Sequence, residues 1–184
     1  MTTTLFSHFQ QRLLAAGGEC VLVNDLREAA HFIASHPALE AKNVVIPPHF
    51  EARHPWGAIL PFLEEHAIQI REASSPAEVA DAPAGLSNAE VAISETGSVL
   101  LAENTLKARI VSMLTLTHFV LVREADLLPM LDDAGKRLQE LSRPGPEQRR
   151  YMSLVTGPSR TADIERTLTI GVQGPKAVCV LIVR

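Results

Sequence analysis

Cysteine, aromatic residues and positive charge are all in short supply. Two cysteines in 184 residues are too few for a disulfide framework or a four-thiolate metal site. Cys20 and Cys179 stand far apart, each in an apolar run of strand character, so they read as two buried free thiols. The aromatics are six Phe, one Trp and one Tyr, which is little material for stacking nucleic-acid bases. Seventeen Lys and Arg against 21 Asp and Glu give a formal charge of −4. That sign favours solubility and opposes the coating of nucleic acid or an anionic membrane. Long hydrophobic runs are missing too: the longest, Ala177 to Val183, is far short of the ~20 residues of a membrane-spanning helix. The first residues have no basic start, and Gln10, Gln11 and Arg12 interrupt any apolar stretch, so they do not read as a signal peptide. The expected compartment is the cytoplasm, with neither nucleic acid nor membrane as a partner.

What is present is an ordinary globular composition, 46% hydrophobic and 21% charged, long enough for about one domain. Leu5, Phe6, Phe9, Leu13 and Leu14 recur at helical spacing until Gly17-Gly18 stops them. A strand at Cys20–Val23, a helix capped by Asn24 or Asp25, and a strand at Asn43–Ile46 follow. A helix around Trp56–His66 then leads to a strand at Ala67–Ile70. Alternation of this kind predicts parallel strands covered by helices. Residues 72–88, rich in Ala, Ser and Pro, read as a loop with room for one helical turn. Val91–Glu95 and Ser98–Ala102 then predict two strands joined by a tight turn at Thr96-Gly97. Further on, the pattern predicts a short helix at Lys107–Met113, a strand at Thr117–Val122 and a long helix at Asp126–Leu141. A final β-α-β unit is expected from Tyr151–Thr156, Thr161–Ile170 and Val178–Val183. Residues 1–71 thus form a helix/strand part and 89–184 a motif-bearing part of one domain over 1–184.

Chemistry has few places to sit. Gly157-Pro-Ser-Arg-Thr-Ala-Asp-Ile-Glu165 reads as a strand end, a turn and a helix start. Ser159 or Thr161 would cap that helix, and its free N–H groups with Arg160 would favour an anion. A plain capped helix, with Asp163 and Glu165 answering the dipole and Arg160 solvated, accounts for the same residues. A nucleophile elbow at Ser159 is disfavoured, because Thr161 replaces the second Gly and no His lies downstream; His118 could serve only in another topology. Ser94-Glu95-Thr96-Gly97 puts a carboxylate at a close backbone turn, where Glu95 could act as base or nucleophile, or simply face water. His49 and His54 flank Glu51 in a proline-rich stretch that matches no zinc spacing, so no metal site is expected. Arg143, Arg149 and Arg150 read as a solvated linker.

Four segments carry a family resemblance: Val91-Ala-Ile-Ser-Glu-Thr-Gly-Ser-Val-Leu100, Thr117-His-Phe-Val-Leu-Val122, the Gly157–Glu165 block, and Gly171-Val-Gln-Gly-Pro175. In this order, over roughly 85–184, they resemble the LUD-domain family in its lactate-utilisation protein C branch. Two positions depart from it: Gln173 stands where the family usually has His, and Leu116-Thr117 where it often has Pro. Gln173 cannot shuttle a proton near neutral pH. The resemblance implies an α/β fold of three layers with a mostly parallel sheet, similar to the NagB/RpiA/CoA-transferase group. It also implies a part in oxidising L-lactate to pyruvate beside iron–sulfur partner proteins, with no cofactor on this chain, since two cysteines fall short of the usual four thiolates. A homo-oligomer is compatible with it. The ligand would be a small carboxylate or phosphate, in a pocket between Glu95, Thr96, Gly97 and Ser98 on one side and Gly157, Ser159, Arg160, Thr161 and Asp163 on the other. Two alternatives stand beside this. On the same fold, Ser94-Glu95-Thr96-Gly97 is similar to a CoA-transferase stretch whose glutamate is the nucleophile, or the chain is a purely structural subunit.

Overall fold

Phe9 and Leu13 share one buried helical stripe, and the helix they define, α1 (Thr2–Ala15), ends where Gly17 turns left-handed at φ +81°. The Gly18 N–H there reaches back to the Leu13 carbonyl at 2.9 Å, the usual way a helix satisfies its last carbonyls. The structure, a computed structural model, describes residues 2–162 and 167–184. After α1 come β1 (Glu19–Val23), α2 (Leu26–Ser35), β2 (Asn43–Ile46), α3 (Leu60–Glu65) and β3 (Gln69–Glu72). Next are α4 (Pro76–Val79), β4 (Ala84–Asn88), β5 (Val91–Ile93), β6 (Ser98–Ala102), α5 (Leu106–Leu114) and β7 (Thr117–Arg123). The chain closes with β8 (Leu127–Leu128), α6 (Ala134–Ser142), β9 (Met152–Val155), β10 (Arg160–Thr161), β11 (Thr169–Ile170) and β12 (Ala177–Val183).

Six strands form a parallel sheet in the order β1-β12-β7-β4-β2-β3. Its central strands β7 and β12 are buried along nearly their whole length, which is why they read as continuous apolar runs rather than alternating ones. One face packs Phe119, Leu121 and Leu181 against Ala29, Ala30 and Ile33 of α2 and Leu63 of α3. On the other face, Val120, Val180 and Ile182 meet Phe9 and Leu13 of α1 together with Ala92 and Val99 of a second sheet. That second sheet has the order β8-β5-β6-β9. Further along the same face, Val45 packs against Val79 of α4 and against Ile110 and Val111 of α5. The result is the layered α/β arrangement expected, with a mostly parallel central sheet. No helix among the described residues is long and apolar enough to cross a membrane.

The differences from the sequence reading have local causes. The stretch 72–88 holds the single helical turn allowed for it, α4, but it also contains the buried central strand β4, which the reading as a loop missed. The long helix expected over 126–141 begins only at Ala134; Pro129 cannot donate inside a helix, and Leu127-Leu128 instead pair in parallel with Ala92-Ile93. Among the described residues the terminal β-α-β unit is not formed. β9 runs antiparallel to β6 in the second sheet. Arg160-Thr161, expected to open a helix, pair antiparallel with Thr169-Ile170, which were expected to end it. Residues 163–166 of that expected helix, Asp163 and Glu165 among them, lie outside the described residues.

Both thiols are buried and free. Glu19 pairs with Cys179 and Cys20 with Val180, so the two sulfurs fall on opposite faces of the sheet, Cys20 beside α1 and Cys179 beneath α2. Burial raises both pKa values, with Glu19 adding to it, and Cys20 is pushed up to about 12. A thiol this far from its thiolate is a poor nucleophile. Iodoacetamide at pH 8 is expected to leave both unmodified in the folded protein over a time that labels both in guanidinium, read by intact mass. Fast labelling of either in the native state would show that its strand opens.

Candidate functional site

The turn between β5 and β6 and the segment after β9 do come together, around the carboxyl end of α1. Gly97 sits at φ +69°, and a Cβ there would lie 2.5 Å from the Leu13 nitrogen. Gly157 sits at φ +66°, and its Cβ would meet the Ala16 carbonyl oxygen at 2.6 Å. Between them, the Ser98 and Thr156 hydroxyls are 2.6 Å apart. Ser94 Oγ donates to the Leu5 carbonyl at 2.8 Å.

The side chains expected to hold an anion have protein partners here. Arg160 donates from its guanidinium to the Ala16 carbonyl, a cation at the negative end of the α1 dipole. Glu95 is exposed and accepts the Leu131 N–H at 2.9 Å. Ser159 donates its N–H to Pro175 O and accepts from Gly171 N–H, both at 2.9 Å. Thr161 is in β10 rather than in a first helical turn, so the free N–H groups of a helix start are not what this segment offers. Thr96 Oγ1 is buried without a partner among the described residues. Asp163 lies outside them.

A second constellation sits at the opposite, carboxyl edge of the large sheet. The chain leaves β2 toward β3 and leaves β4 toward β7, although β2 and β4 are neighbours. Adjacent parallel strands whose connections diverge leave a crevice beyond their carboxyl ends, the usual place for ligands in open α/β sheets. A cleft of about 810 Å³ lies there, walled by residues that follow β2, β4, β6 and β7. Arg53 grips Glu103 with two parallel bonds of 2.6 and 2.9 Å and also donates to Asn88 Oδ1 at 3.1 Å. Both members of that ion pair are mostly shielded, at 26% and 14% side-chain exposure, so it is tighter than an ordinary surface pair. Arg137 pairs with Glu90, and Arg123 with Asp126, on the same walls.

None of these residues was singled out by sequence as a ligand; Arg53 merely falls inside the His49–His54 stretch. Asn88 closes a stretch that reads as a loop, and Glu103 is one polar residue after a buried strand. The usable signal was positional: a polar residue directly following an apolar strand at the point where strand order reverses. Glu72 of β3 likewise joins His49 and Glu51 in an exposed group whose ligand atoms lie within 4.8 Å of one another, and it accepts the His49 N–H at 2.9 Å.

His118 does not approach Ser159. It is fully buried on β7, with Nε2 2.7 Å from Ser87 Oγ and Nδ1 without a partner among the described residues. Burial pushes its pKa down to about 4, which makes it a neutral core histidine at ordinary pH.

A family model described as the LUD domain matches residues 7–183. Among curated proteins, the chain is 33% identical over 99 residues to lactate utilization protein C 1 of Bacillus mycoides, covering 54% of this chain and 42% of that protein. It is 32% identical over 117 residues to lactate utilization protein C of Macrococcus caseolyticus, covering 61% and 51%. Against lactate utilization protein C of Geobacillus thermodenitrificans, identity is 25% over 185 residues, covering 99% and 70%. The chain thus spans about half the length of the first two relatives. A crystal structure of a DUF162 family protein from Deinococcus radiodurans superposes with a TM-score of 0.70 at 23% identity, covering 100% of this chain and 99% of that one. That likeness is one of fold.

Proposed function

The chain belongs to the LUD-domain family, and from that premise we propose that it serves lactate utilisation as an accessory subunit that binds a small carboxylate. Its relatives are named for lactate utilization, and the observation that carries the reading here is the Arg53–Glu103–Asn88 cluster at the sheet's carboxyl edge. Lactate or pyruvate would bind the guanidinium N–H groups of Arg53 that Glu103 and Asn88 leave free, with Asn88 Nδ2 available as a second donor. This puts the ligand at the opposite edge of the sheet from the pocket expected between Glu95 and Arg160.

Turning L-lactate into pyruvate removes an electron pair and two protons, and the electrons need an acceptor. The residues of this chain do not fit an iron–sulfur cluster: its two thiols are buried, protonated and on opposite faces, and a cluster needs about four reachable thiolates. Partner proteins bearing iron–sulfur clusters would therefore carry the electrons, and this chain would bind and present the acid.

Deleting the gene in a host without a second lactate oxidase is expected to abolish growth on L-lactate. The wild-type gene should restore it, and Arg53→Gln should restore it poorly. In the purified protein, Arg53→Gln is expected to weaken pyruvate or lactate binding about tenfold or more by calorimetry, the usual scale for losing a charge-assisted fork. Normal growth of the deletion strain would overturn the role, and unchanged binding by Arg53→Gln would overturn the placement.

A further inference from the structure

The polar cleft does not end at its own wall. It shares Pro55, Trp56 and Arg123 with a neighbouring pocket of about 420 Å³ beyond the carboxyl ends of β1, β7 and β12. A three-carbon acid fills only a corner of either space, whereas sites of ~300–1,000 Å³ hold whole organic cofactors or drug-sized ligands. The two compartments also differ in character. The smaller one is walled by Leu26, Pro55, Trp56, Phe62 and Val183, a flat-sided apolar slot.

Its rim is cationic. Arg27, Arg123 and Arg184 line it with one lining carboxylate, Asp25, which caps α2 by accepting the Glu28 N–H at 2.8 Å. Arg123 and Arg184 also pair, with Asp126 and Glu124, outside the lining and with more than half of each arginine side chain exposed. Arg27 lies over the Phe62 ring, 4.3 Å from its centroid, so its guanidinium is held at the mouth of the slot. Its ion pair with Glu65 is solvent-exposed, at 63% and 55% side-chain exposure. Exposed pairs of this kind are worth little and yield readily to a better anion. Apolar walls for a ring, arginines at the rim and a polar cleft next door together describe a ligand with an aromatic base, a hydroxylated middle and an acidic group.

We propose that this pocket takes the planar ring of a mononucleotide-sized organic anion, with its phosphate held by Arg27 and Arg123. The inference goes beyond the lactate reading and does not depend on it. The chain has one tryptophan, so its fluorescence reports on Trp56, which walls both the slot and the cleft, and the titrations are run without lactate or pyruvate present. Titration with AMP and with FMN, followed by fluorescence and checked by calorimetry, is expected to give saturable binding of at least one of them with Kd below about 100 μM. Arg27→Gln and Arg123→Gln should each weaken it about tenfold. Both arginines are exposed, so the variants keep the fold, which a thermal melt confirms. Absence of saturation with either probe up to about 1 mM, equal affinity for inorganic phosphate alone, or indifference to both substitutions would each overturn the proposal. Lactate binding measured on the same samples fails or succeeds separately.

Discussion

Replacing Gly97 with alanine is expected to cost about 3 kcal/mol, lowering the melting temperature by about 10 °C. Two penalties add. The residue sits at φ +69°, where a Cβ costs ~1–2 kcal/mol. The added methyl would also lie 2.5 Å from the Leu13 nitrogen and 2.8 Å from the Arg12 carbonyl carbon. Those are backbone atoms of α1 and cannot swing aside as a side chain can. Gly135 supplies the control: it lies inside α6 with nothing within 4 Å of its would-be Cβ. Gly135→Ala should therefore stabilise by up to ~1 kcal/mol through helix propensity. Thermal and urea melts of the two variants should move in opposite directions. A Gly97→Ala protein within 1 kcal/mol of wild type would mean that the β5–β6 turn stands clear of α1.

Acidification is expected to remove about 3 kcal/mol of stability through His118 alone. The folded protein holds this imidazole neutral, with a pKa pushed down to about 4 from the ordinary 6.5. Between those two values the unfolded chain binds the proton and the folded one does not, so lowering the pH favours unfolding. The contribution is fully present above about 6.5, drains away toward about 4, and changes no further below that. Ion-paired carboxylates add a slope of the same sign at the acid end, so the measurement has to be a difference. Urea midpoints at pH 7.5, 5.5 and 4 for wild type and His118→Gln should converge as the pH falls, because glutamine keeps a partner for Ser87 but takes no proton. Parallel curves would show that His118 charges without opening the core.

Much of the fold is legible from the residues. Gly17-Gly18 ends α1, Asp25 caps α2, and the β5–β6 hairpin turns through Gly97 as the pattern implies. The central strand β4 is the instructive failure. Its Ala-Gly-Leu-Ser-Asn sequence lacks β-branched residues because α5 crosses it closely: a Cβ on Gly85 would lie 2.7 Å from Thr115 Oγ1. The packing that makes the strand central also strips it of the usual strand signature. The helix expected at Thr161 failed for the opposite reason. Its capping signals are genuine local preferences, but pairing of Arg160-Thr161 with Thr169-Ile170 outweighs them. The cleft was the least legible part. Arg53 meets Glu103 across 50 residues of sequence and Asn88 across 35, and only the order of strands in the sheet brings them together.

That strand order also governs how the molecule must be assembled during synthesis. β1 has a single neighbour in the sheet, β12, the last strand among the described residues, and Arg160 reaches back 144 residues to the end of α1. Within the sheet β1 therefore stays unpaired until β12 has been made and has slid between β1 and β7. Contacts so distant in sequence close slowly. A nascent chain stalled before residue 177 would leave the apolar flanks of β1 and β7 open, as natural landing points for a chaperone.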